Sequence, residues 1–373
     1  MRYYLIAGEA SGDMHGAALI RSLRQIDSAA EMRFHGGGKM LEAAGGGLFR
    51  DYRETAVMGI TEVAFKMRRI LRNISEVRRD ILDWKPDVLI LIDYPGFNMR
   101  MAKFAHRQGI KVCYYIAPKV WARAEGRVKQ MRRDIDMLYV IFPFEKEYFR
   151  RHGIEARYFG NPLAEKIHAA EGEREKMVAM LPGSRKAELG WMLPRFAAIE
   201  QMMRLSDPTS PWHGCRLVIP AAPNVTPDEI RSRLPEDSRI EIVTGRTYEV
   251  LSKASSAIVN SGTASFEAAL FRTPQVVSYG VNFITWVYGR LAIKVKYISL
   301  ANIILDRLIF PELIQGAATP EALLSALESA TFDDSTRSGM LAGYDELRGM
   351  LECRGEGSVT DQIAADLIQY FGK

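Results

Sequence analysis

The sequence predicts an α/β fold built from two βαβ domains that face each other across a cleft. Short apolar runs typical of buried strands alternate with helical patterns, and turn residues separate them along the whole chain. The length of 373 residues also exceeds what one core usually supports. Gly160-Asn161-Pro162 marks a natural boundary. We expect domains over 1–162 and 163–345, and a tail over 346–373 whose helix packs back on the first domain.

The first half opens with a Rossmann-like βα unit. Tyr3–Ala7 is the predicted strand, residues 8–13 are the turn, and Met14–Ile26 is the helix. No GxGxxG or GxxxxGK[ST] spacing follows, so neither a nicotinamide nor a P-loop site is indicated. The remaining strands are predicted at Val88–Ile92, Lys111–Ile116 and Met137–Ile141, and the helices at 61–82, Phe97–Gln108, Trp121–Arg133 and Pro143–Arg151.

The helix at 61–82 carries an apolar strip along its first three turns, formed by Val63, Met67, Ile70 and Leu71. Lysine and arginine side chains lie beside and behind this strip. That composition is typical of a helix lying in a membrane interface, so we expect this part to dock on an anionic bilayer. The alternative is an ordinary core face with a solvated basic back. For Ile74, Val77 and Ile81 we expect core packing.

The second half repeats the alternation, with strands predicted near 177–181, 215–219, 240–243, 256–260 and 275–278. Phe283–Val295 is strongly apolar and is interpreted as a buried packing or subunit-contact helix. A homodimer is therefore one expectation.

Composition is that of an ordinary globular protein, 47% hydrophobic and 25% charged, with a net charge of +5. This mild basicity is consistent with anionic substrates or an anionic membrane surface. Three scattered cysteines and six histidines without ligand spacing predict neither disulfides nor a metal site. We expect no cofactor and no nucleic-acid partner. With no secretory signal or membrane-spanning run, the expected location is cytoplasmic.

Two strand ends in the second half carry phosphate chemistry. Ser261, Gly262 and Thr263 stand between a predicted strand and a helix, whose first N–H groups and dipole favour an anion. One turn on, Glu267 could reach a sugar hydroxyl. After the strand at 177–181, Arg185 opens a helix with a guanidinium suited to phosphate. Together they predict a diphosphate site, although each could be an ordinary capped turn.

In the first half, Asp93 follows the strand Val88–Ile92 and is the candidate base. Its alternative role is an N-cap of the next helix.

These motifs resemble the lipid-A-disaccharide synthase family over nearly the whole chain. The matching segments are residues 6–13, 56–60, 85–87, 92–98, 142–146, 181–185, 261–267 and 297–302. The resemblance implies a glycosyltransferase-B fold and transfer of diacylglucosamine from UDP-diacylglucosamine to the 6-hydroxyl of diacylglucosamine 1-phosphate. It also implies a protein peripherally bound to the inner face of the cytoplasmic membrane.

By similarity, Asp93 matches the family's essential aspartate. Arg185, Glu267 and Asn302 match positions at the UDP end, and Ser11 and Gly12 are expected in an acceptor-side loop. The chain departs from the family at three positions: Gly96, where a second Asp is more frequent, Arg123 and Ala301.

Two other functions compete with this one. A UDP-N-acetylglucosamine 2-epimerase would share the fold and the UDP elements, but it would need several acid–base groups and no membrane-facing helix. A non-catalytic nucleotide-sugar binding module would show no turnover of a UDP-sugar.

Overall fold

The fold comes from a computed structural model that describes residues 1–55, 63–123, 125–169, 172–280, 296–353 and 355–372. For 55, 63–70, 122, 123 and 125 it describes the backbone alone. Several predictions therefore lie outside the described residues: the motif at 56–60, the helix at Phe283–Val295, and the side chains of Val63, Met67, Ile70 and Arg123. The chain forms two compact α/β units, which confirms the predicted class. Unit 1 comprises Met1–Glu165 and Leu351–Lys373, and unit 2 comprises Lys166–Met350.

The described part of unit 1 contains a parallel sheet of seven strands in the order β3-β2-β1-β4-β5-β6-β7. Its strands are β1 (Arg2–Ala7), β2 (Glu31–Gly36), β3 (Leu48–Asp51), β4 (Val88–Ile92), β5 (Lys111–Tyr115), β6 (Met137–Tyr139) and β7 (Ala156–Arg157). The central strands are continuous apolar runs because helices cover both faces of a parallel sheet. The sequence did not predict β2, β3 and β7.

The helices of this unit are α1 (Ala10–Ile26), α2 (Gly38–Ala44), α3 (Tyr52–Thr55), α4 (Val63–Trp84), α5 (Pro95–Arg107), α6 (Val120–Arg123), α7 (Val128–Asp134), α8 (Pro143–Arg151) and α9 (Pro162–Lys166). The single helix predicted at Trp121–Arg133 is wrong, because a 3₁₀ turn at Glu125–Arg127 separates α6 from α7.

The loop predicted at Ser11 and Gly12 is also wrong, whereas their place on the acceptor side stays a prediction. Helix α1 begins at Ala10, so both residues lie in its first turn. A Cβ on Gly12 would stand 3.2 Å from the Cβ of Ala7, so this glycine allows close packing of helix on strand. Gly8 and Gly12 beside Ser11 indicated a turn in the sequence. In the structure Gly12 instead lies in α1, where it allows the helix to contact β1.

Helix α4 packs on the sheet through its later turns. Ile74 is 4% exposed, Val77 and Ile81 are fully buried, and all three join the core beneath β4 and β5. Their predicted core role is confirmed. Leu71, one turn earlier, is 56% exposed.

Unit 2 contains, in its described part, a parallel six-stranded sheet in the order β10-β9-β8-β11-β12-β13. Its strands are β8 (Glu175–Leu181), β9 (Arg216–Ala221), β10 (Glu241–Thr244), β11 (Ala254–Asn260), β12 (Gln275–Tyr279) and β13 (Glu312–Ile314). Its helices are α10 (Lys186–Arg204), α11 (Pro227–Arg231), α12 (Thr247–Lys253), α13 (Thr263–Leu270), α14 (Leu300–Leu305), α15 (Pro320–Phe332) and α16 (Asp334–Leu351). The sequence did not predict β13.

The last helix, α17 (Val359–Phe371), belongs to unit 1 and packs against α1. The hydroxyl of Ser22 in α1 donates to Thr360 Oγ1 at 3.1 Å. The hydroxyl of Tyr139, at the end of β6, donates to the Asp366 carboxylate at 2.6 Å. Val359, Ile363 and Leu367 are almost fully buried in the same core as β1.

Each sheet contains one point where the strand order reverses. In unit 1 the reversal lies between β1 and β4, and in unit 2 it lies between β8 and β11. The loops that follow such a pair of strands leave in opposite directions, which opens a crevice at the carboxyl ends of the strands. Binding sites are therefore expected at these two places.

Candidate functional site

A cavity of about 460 Å³ occupies the strand-order reversal of unit 2. Residues 181–185 after β8 and 260–264 after β11 form two of its walls. Pro220 and Pro223 near the end of β9 contribute a third, and Tyr248 and Glu267 complete it. The cavity thus brings together Arg185, Ser261, Gly262, Thr263 and Glu267, which sequence analysis selected from two separate stretches.

The first turn of α13 is available to an anion. Its N-cap is Gly262, and no side chain caps it and no acidic residue lies in its first turn within the described chain. The Ser265 hydroxyl donates to the Gly262 carbonyl at 2.9 Å, which leaves the early N–H groups of the helix unused by that side chain. Unpaired N–H groups and the helix dipole together favour a phosphate here.

In the loop after β8, at residues 181–185, main-chain N–H groups are already bonded to a side chain. The Glu188 carboxylate accepts from the main-chain N–H groups of Ser184 and Arg185, at 2.8 and 3.0 Å. Gly183 has φ +96°, and a Cβ there would lie 2.4 Å from Glu188 Oε2, so only glycine fits beneath this carboxylate. These two amides are therefore already occupied by an anion of the chain itself. We expect the Arg185 side chain to provide the main ligand contact from this side.

The Arg185 side chain is suited to that contact. It is 82% exposed, and its Nη1 lies 3.1 Å from Glu188 Oε1. An ion pair this exposed contributes little, so the guanidinium can leave it for a stronger, bidentate partner such as a phosphate.

The Glu267 carboxylate is half-buried in the cavity wall. Its Oε1 accepts a hydrogen bond of 2.9 Å from the hydroxyl of Tyr248 on α12. Burial raises the pKa of Glu267, and the bond from Tyr248 opposes that rise. Tyr248 was not predicted, because α12 comes beside α13 only through the way the chain crosses the sheet from β10 at its edge to β11, with α12 packed on β8, β9 and β11.

Asn302 does not line the cavity. It is fully buried, its amide donates to Phe310 O and Glu312 Oε1, and its side-chain oxygen accepts from Ile309 N. Glu312 in turn accepts from the main-chain N–H of Ile298, whose carbonyl accepts from the Ser261 hydroxyl at 3.4 Å. These contacts favour an indirect role for Asn302, through support of the Ser261 turn, over the contact with UDP that the resemblance implied.

In unit 1, Asp93 lies directly after β4 at the strand-order reversal. Asp93 and the next residue, Tyr94, have φ of +45° and +47°. The Asp93 carbonyl accepts from the Tyr114 hydroxyl at 2.6 Å and from the Asn98 amide at 2.8 Å. The N-cap of α5 is Tyr94, without a side-chain capping bond, so the alternative N-cap role for Asp93 is wrong. Backbone strain held in place by such bonds is typical of functional sites.

Two charged side chains act on the half-buried Asp93 carboxylate. Burial is the main cause that raises its pKa, and the negative charge of Glu9 adds to the rise. The positive charge of Lys119 and the main-chain N–H of Tyr94 oppose it. Glu9 is near because β1 and β4 are neighbours with Ala7 opposite Ile92, so both strands end at the same level. The resemblance indicated Gly96 as the family's position for a second acid, and Glu9 was not predicted because only the sheet order brings it near Asp93.

Neither a metal site nor a membrane span is found in the part of the chain that the structure covers. No group of three or more His, Cys, Asp or Glu side chains among those residues could hold a metal ion. No helix among them is long and apolar enough to cross a bilayer.

Solved structures that are similar to this one include both epimerases and glycosyltransferases. The structure is similar to the UDP-GlcNAc 2-epimerase of Neisseria meningitidis, with a TM-score of 0.62, 13% identity and coverage of 99% of this chain and 100% of that one. It is equally similar to the calicheamicin glycosyltransferase CalG4, with a TM-score of 0.60, 14% identity and coverage of 100% and 99%. At such identities both matches show the fold alone, so the epimerase alternative rests only on a fold resemblance.

Sequence similarity is more specific. A lipid-A-disaccharide synthase of Myxococcus xanthus is 38% identical over 382 residues, which cover 99% of this chain and 97% of that protein. The family model described as lipid-A-disaccharide synthetase matches residues 3–350. The match therefore includes both strand-order reversals and their side chains, and the chain belongs to the lipid-A-disaccharide synthetase family of glycosyltransferases.

Proposed function

We propose that this enzyme transfers 2,3-diacylglucosamine from its UDP derivative to the 6-hydroxyl of 2,3-diacylglucosamine 1-phosphate. The products are the β-1,6-linked lipid A disaccharide 1-phosphate and UDP. The observation that carries the proposal is the unit 2 cavity, which combines an uncapped helix N-terminus, an exposed guanidinium at Arg185 and a carboxylate at Glu267. These groups suit a diphosphate joined to a ribose.

The chemistry assigns a separate task to each unit. An α-linked donor that gives a β-linkage requires in-line displacement at the anomeric carbon, with UDP as the leaving group. Arg185 and the N–H groups of Gly262 and Thr263 stabilise the negative charge that develops on UDP. Asp93 accepts the proton of the attacking hydroxyl, and its raised pKa makes it a better base than an exposed aspartate.

The test is to incubate the purified protein with UDP-diacylglucosamine and diacylglucosamine 1-phosphate and to follow the products by mass spectrometry. We expect a disaccharide 1-phosphate in amounts equal to the UDP released. An epimerase would give an isomer of unchanged mass from a UDP-sugar alone, and a binding module would give neither product. Either result would overturn the proposal.

We further propose that the protein works on the inner face of the cytoplasmic membrane and docks through the first turns of α4. Both substrates carry acyl chains, so the acceptor at least must be reached at a bilayer. The observed support is the change of environment along α4, from Leu71 at 56% exposed to the buried Ile74, with the guanidinium of Arg72 79% exposed beside Leu71. An apolar side chain beside an exposed cation suits an anionic lipid surface.

The docking experiment replaces Met67, Ile70 and Leu71 by Ser together. We expect a folded protein that no longer sediments with anionic vesicles. The matched control is Ile81→Ser on the buried side of the same helix, which should lower stability by about 2–5 kcal/mol without acting on vesicle binding of the folded fraction. A triple variant that unfolds like the control, or one that still binds vesicles, would contradict docking through this strip.

A further inference from the structure

Tyr248 stands in the cavity wall beside the carboxylate assigned to ribose. It lies in the first turn of α12, and 43% of the residue is exposed. Its hydroxyl donates to Glu267 Oε1 at 2.9 Å, and its ring meets the ring of Phe271 edge to face, with centroids 5.2 Å apart. The tyrosine is therefore anchored by packing at one side and directed at the carboxylate by its hydroxyl.

This single bond determines how Glu267 faces the cavity. No other described residue forms a hydrogen bond with the Glu267 carboxylate, so Oε2 is left to accept from a ligand. A carboxylate with one oxygen held and the other open can receive the hydroxyl of a ribose with little loss of side-chain freedom. Without the tyrosine hydroxyl, the same carboxylate would have to be ordered by the ligand itself.

Arg174 also holds the helices of these two side chains together. Its guanidinium donates hydrogen bonds to the carboxyl-terminal ends of both α12 and α13. Its Nη1 and Nη2 donate to main-chain oxygens at the end of α12 and just after α13, those of Leu251, Ser252 and Phe271, at 3.0, 3.2 and 2.6 Å. The helices that carry Tyr248 and Glu267 are thus linked to each other by the Arg174 side chain.

We propose that Tyr248 is a positioning residue that orients Glu267 toward the ribose and thereby makes the site prefer ribonucleoside diphosphates over their 2′-deoxy counterparts. The inference rests on the proposed binding of UDP in this cavity. Two other roles for the tyrosine predict different results. If the ring only packs on Phe271, its hydroxyl is dispensable. If the ring contacts the nucleobase, it acts on UDP and 2′-deoxy-UDP alike.

The experiment measures the affinity of UDP and of 2′-deoxy-UDP by calorimetry for the wild-type protein, Tyr248→Phe, Glu267→Gln and the double variant. Phenylalanine keeps the contact with Phe271 and removes only the hydroxyl. We expect Tyr248→Phe to bind UDP about five- to tenfold more weakly, which is the net contribution of one ordinary hydrogen bond, and to bind 2′-deoxy-UDP within about twofold of wild type. In the Glu267→Gln background the tyrosine change should add no further loss.

The pH dependence provides a readout that packing would not alter. Since the bond from Tyr248 opposes the rise in the pKa of Glu267, its loss moves that pKa further up. On acidification, Tyr248→Phe should therefore begin to lose UDP affinity at a higher pH than wild type, while the ionisation of UDP itself cancels between the two proteins. Unchanged UDP affinity, or equal losses for both nucleotides, would overturn the role of Tyr248 and leave the UDP site standing. A wild-type protein that binds no UDP would overturn both.

Discussion

Replacing Asp93 by Asn tests the proposed chemistry with little disturbance of the fold. Asparagine tolerates the positive φ of this position as well as aspartate does. The bonds from Tyr114 and Asn98 go to the main-chain carbonyl of Asp93 and do not depend on its side chain. The variant therefore removes a basic carboxylate and leaves its surroundings in place.

Loss of a general base lowers turnover by about 10²–10⁴-fold, which corresponds to roughly 2.7–5.5 kcal/mol of the activation barrier. We expect Asp93→Asn to show this loss in a disaccharide assay with saturating substrates, while UDP affinity measured by calorimetry stays the same. Turnover close to that of wild type would refute the assignment of Asp93.

The neighbours of Asp93 distinguish a base from a residue that only positions the acceptor. A base must be ionised, so kcat/KM falls as the pH drops through the pKa of Asp93. Glu9 raises this pKa and Lys119 lowers it. Glu9→Gln should therefore move the acid limb of the profile to lower pH, and Lys119→Gln should move it to higher pH. Both shifts should be small, because solvent and salt screen the charges of these exposed side chains. An acid limb that does not move in either variant would identify a positioning role.

Three further outcomes are expected. Arg185→Ala should weaken UDP binding in calorimetry, by less at 1 M salt than at 0.1 M because the contact is exposed; a salt-independent loss would speak against a phosphate contact. Activity should survive exhaustive EDTA treatment, since Arg185 and the α13 N-terminus supply the positive charge, and recovery only on adding Mg²⁺ would refute this. Burial raises the pKa of Glu145 to about 7 although Trp121 donates to it at 2.9 Å. Trp121 fluorescence should therefore titrate near pH 7, and the free energy of unfolding should fall as the pH rises from 4.5 toward 7, because the folded state favours the neutral acid. Trp121 fluorescence that does not change between about pH 5 and 9 would contradict the raised pKa of Glu145.

The elements that sequence analysis predicted correctly are those whose signal is local. Strands β4 and β11 are continuous apolar runs, because each is covered on both faces. Three of the four missed strands, β3, β7 and β13, stand at sheet edges and have two to four residues, few of them buried. The fourth, β2, lies next to an edge, and only its last three residues are buried. Their pairing depends on the neighbouring strand more than on their own composition, so no pattern in the sequence could indicate them.

The same distinction holds within the candidate site. Arg185, Ser261 and Glu267 lie in short motifs next to predicted strand ends, so the turn chemistry alone indicated them. Tyr248 is 19 residues from Glu267, and Glu9 approaches Asp93 only because β1 pairs with β4. Contacts of this kind depend on strand order, which the pattern of apolar residues does not specify.

The assignment of α17 to unit 1 has a consequence for biosynthesis. A ribosome releases residues in order, and unit 2 is one continuous stretch, Lys166–Met350, whose chain is all present before α17 emerges. Unit 1 needs Val359–Phe371 to cover α1. The apolar side chains of Ile20 and Leu23 in α1 therefore stay without this cover while unit 2 is synthesised. The first unit to be translated is therefore the last to be completed. A chain interrupted shortly before α17 would carry a finished unit 2 and an unfinished unit 1 that chaperones and proteases can recognise.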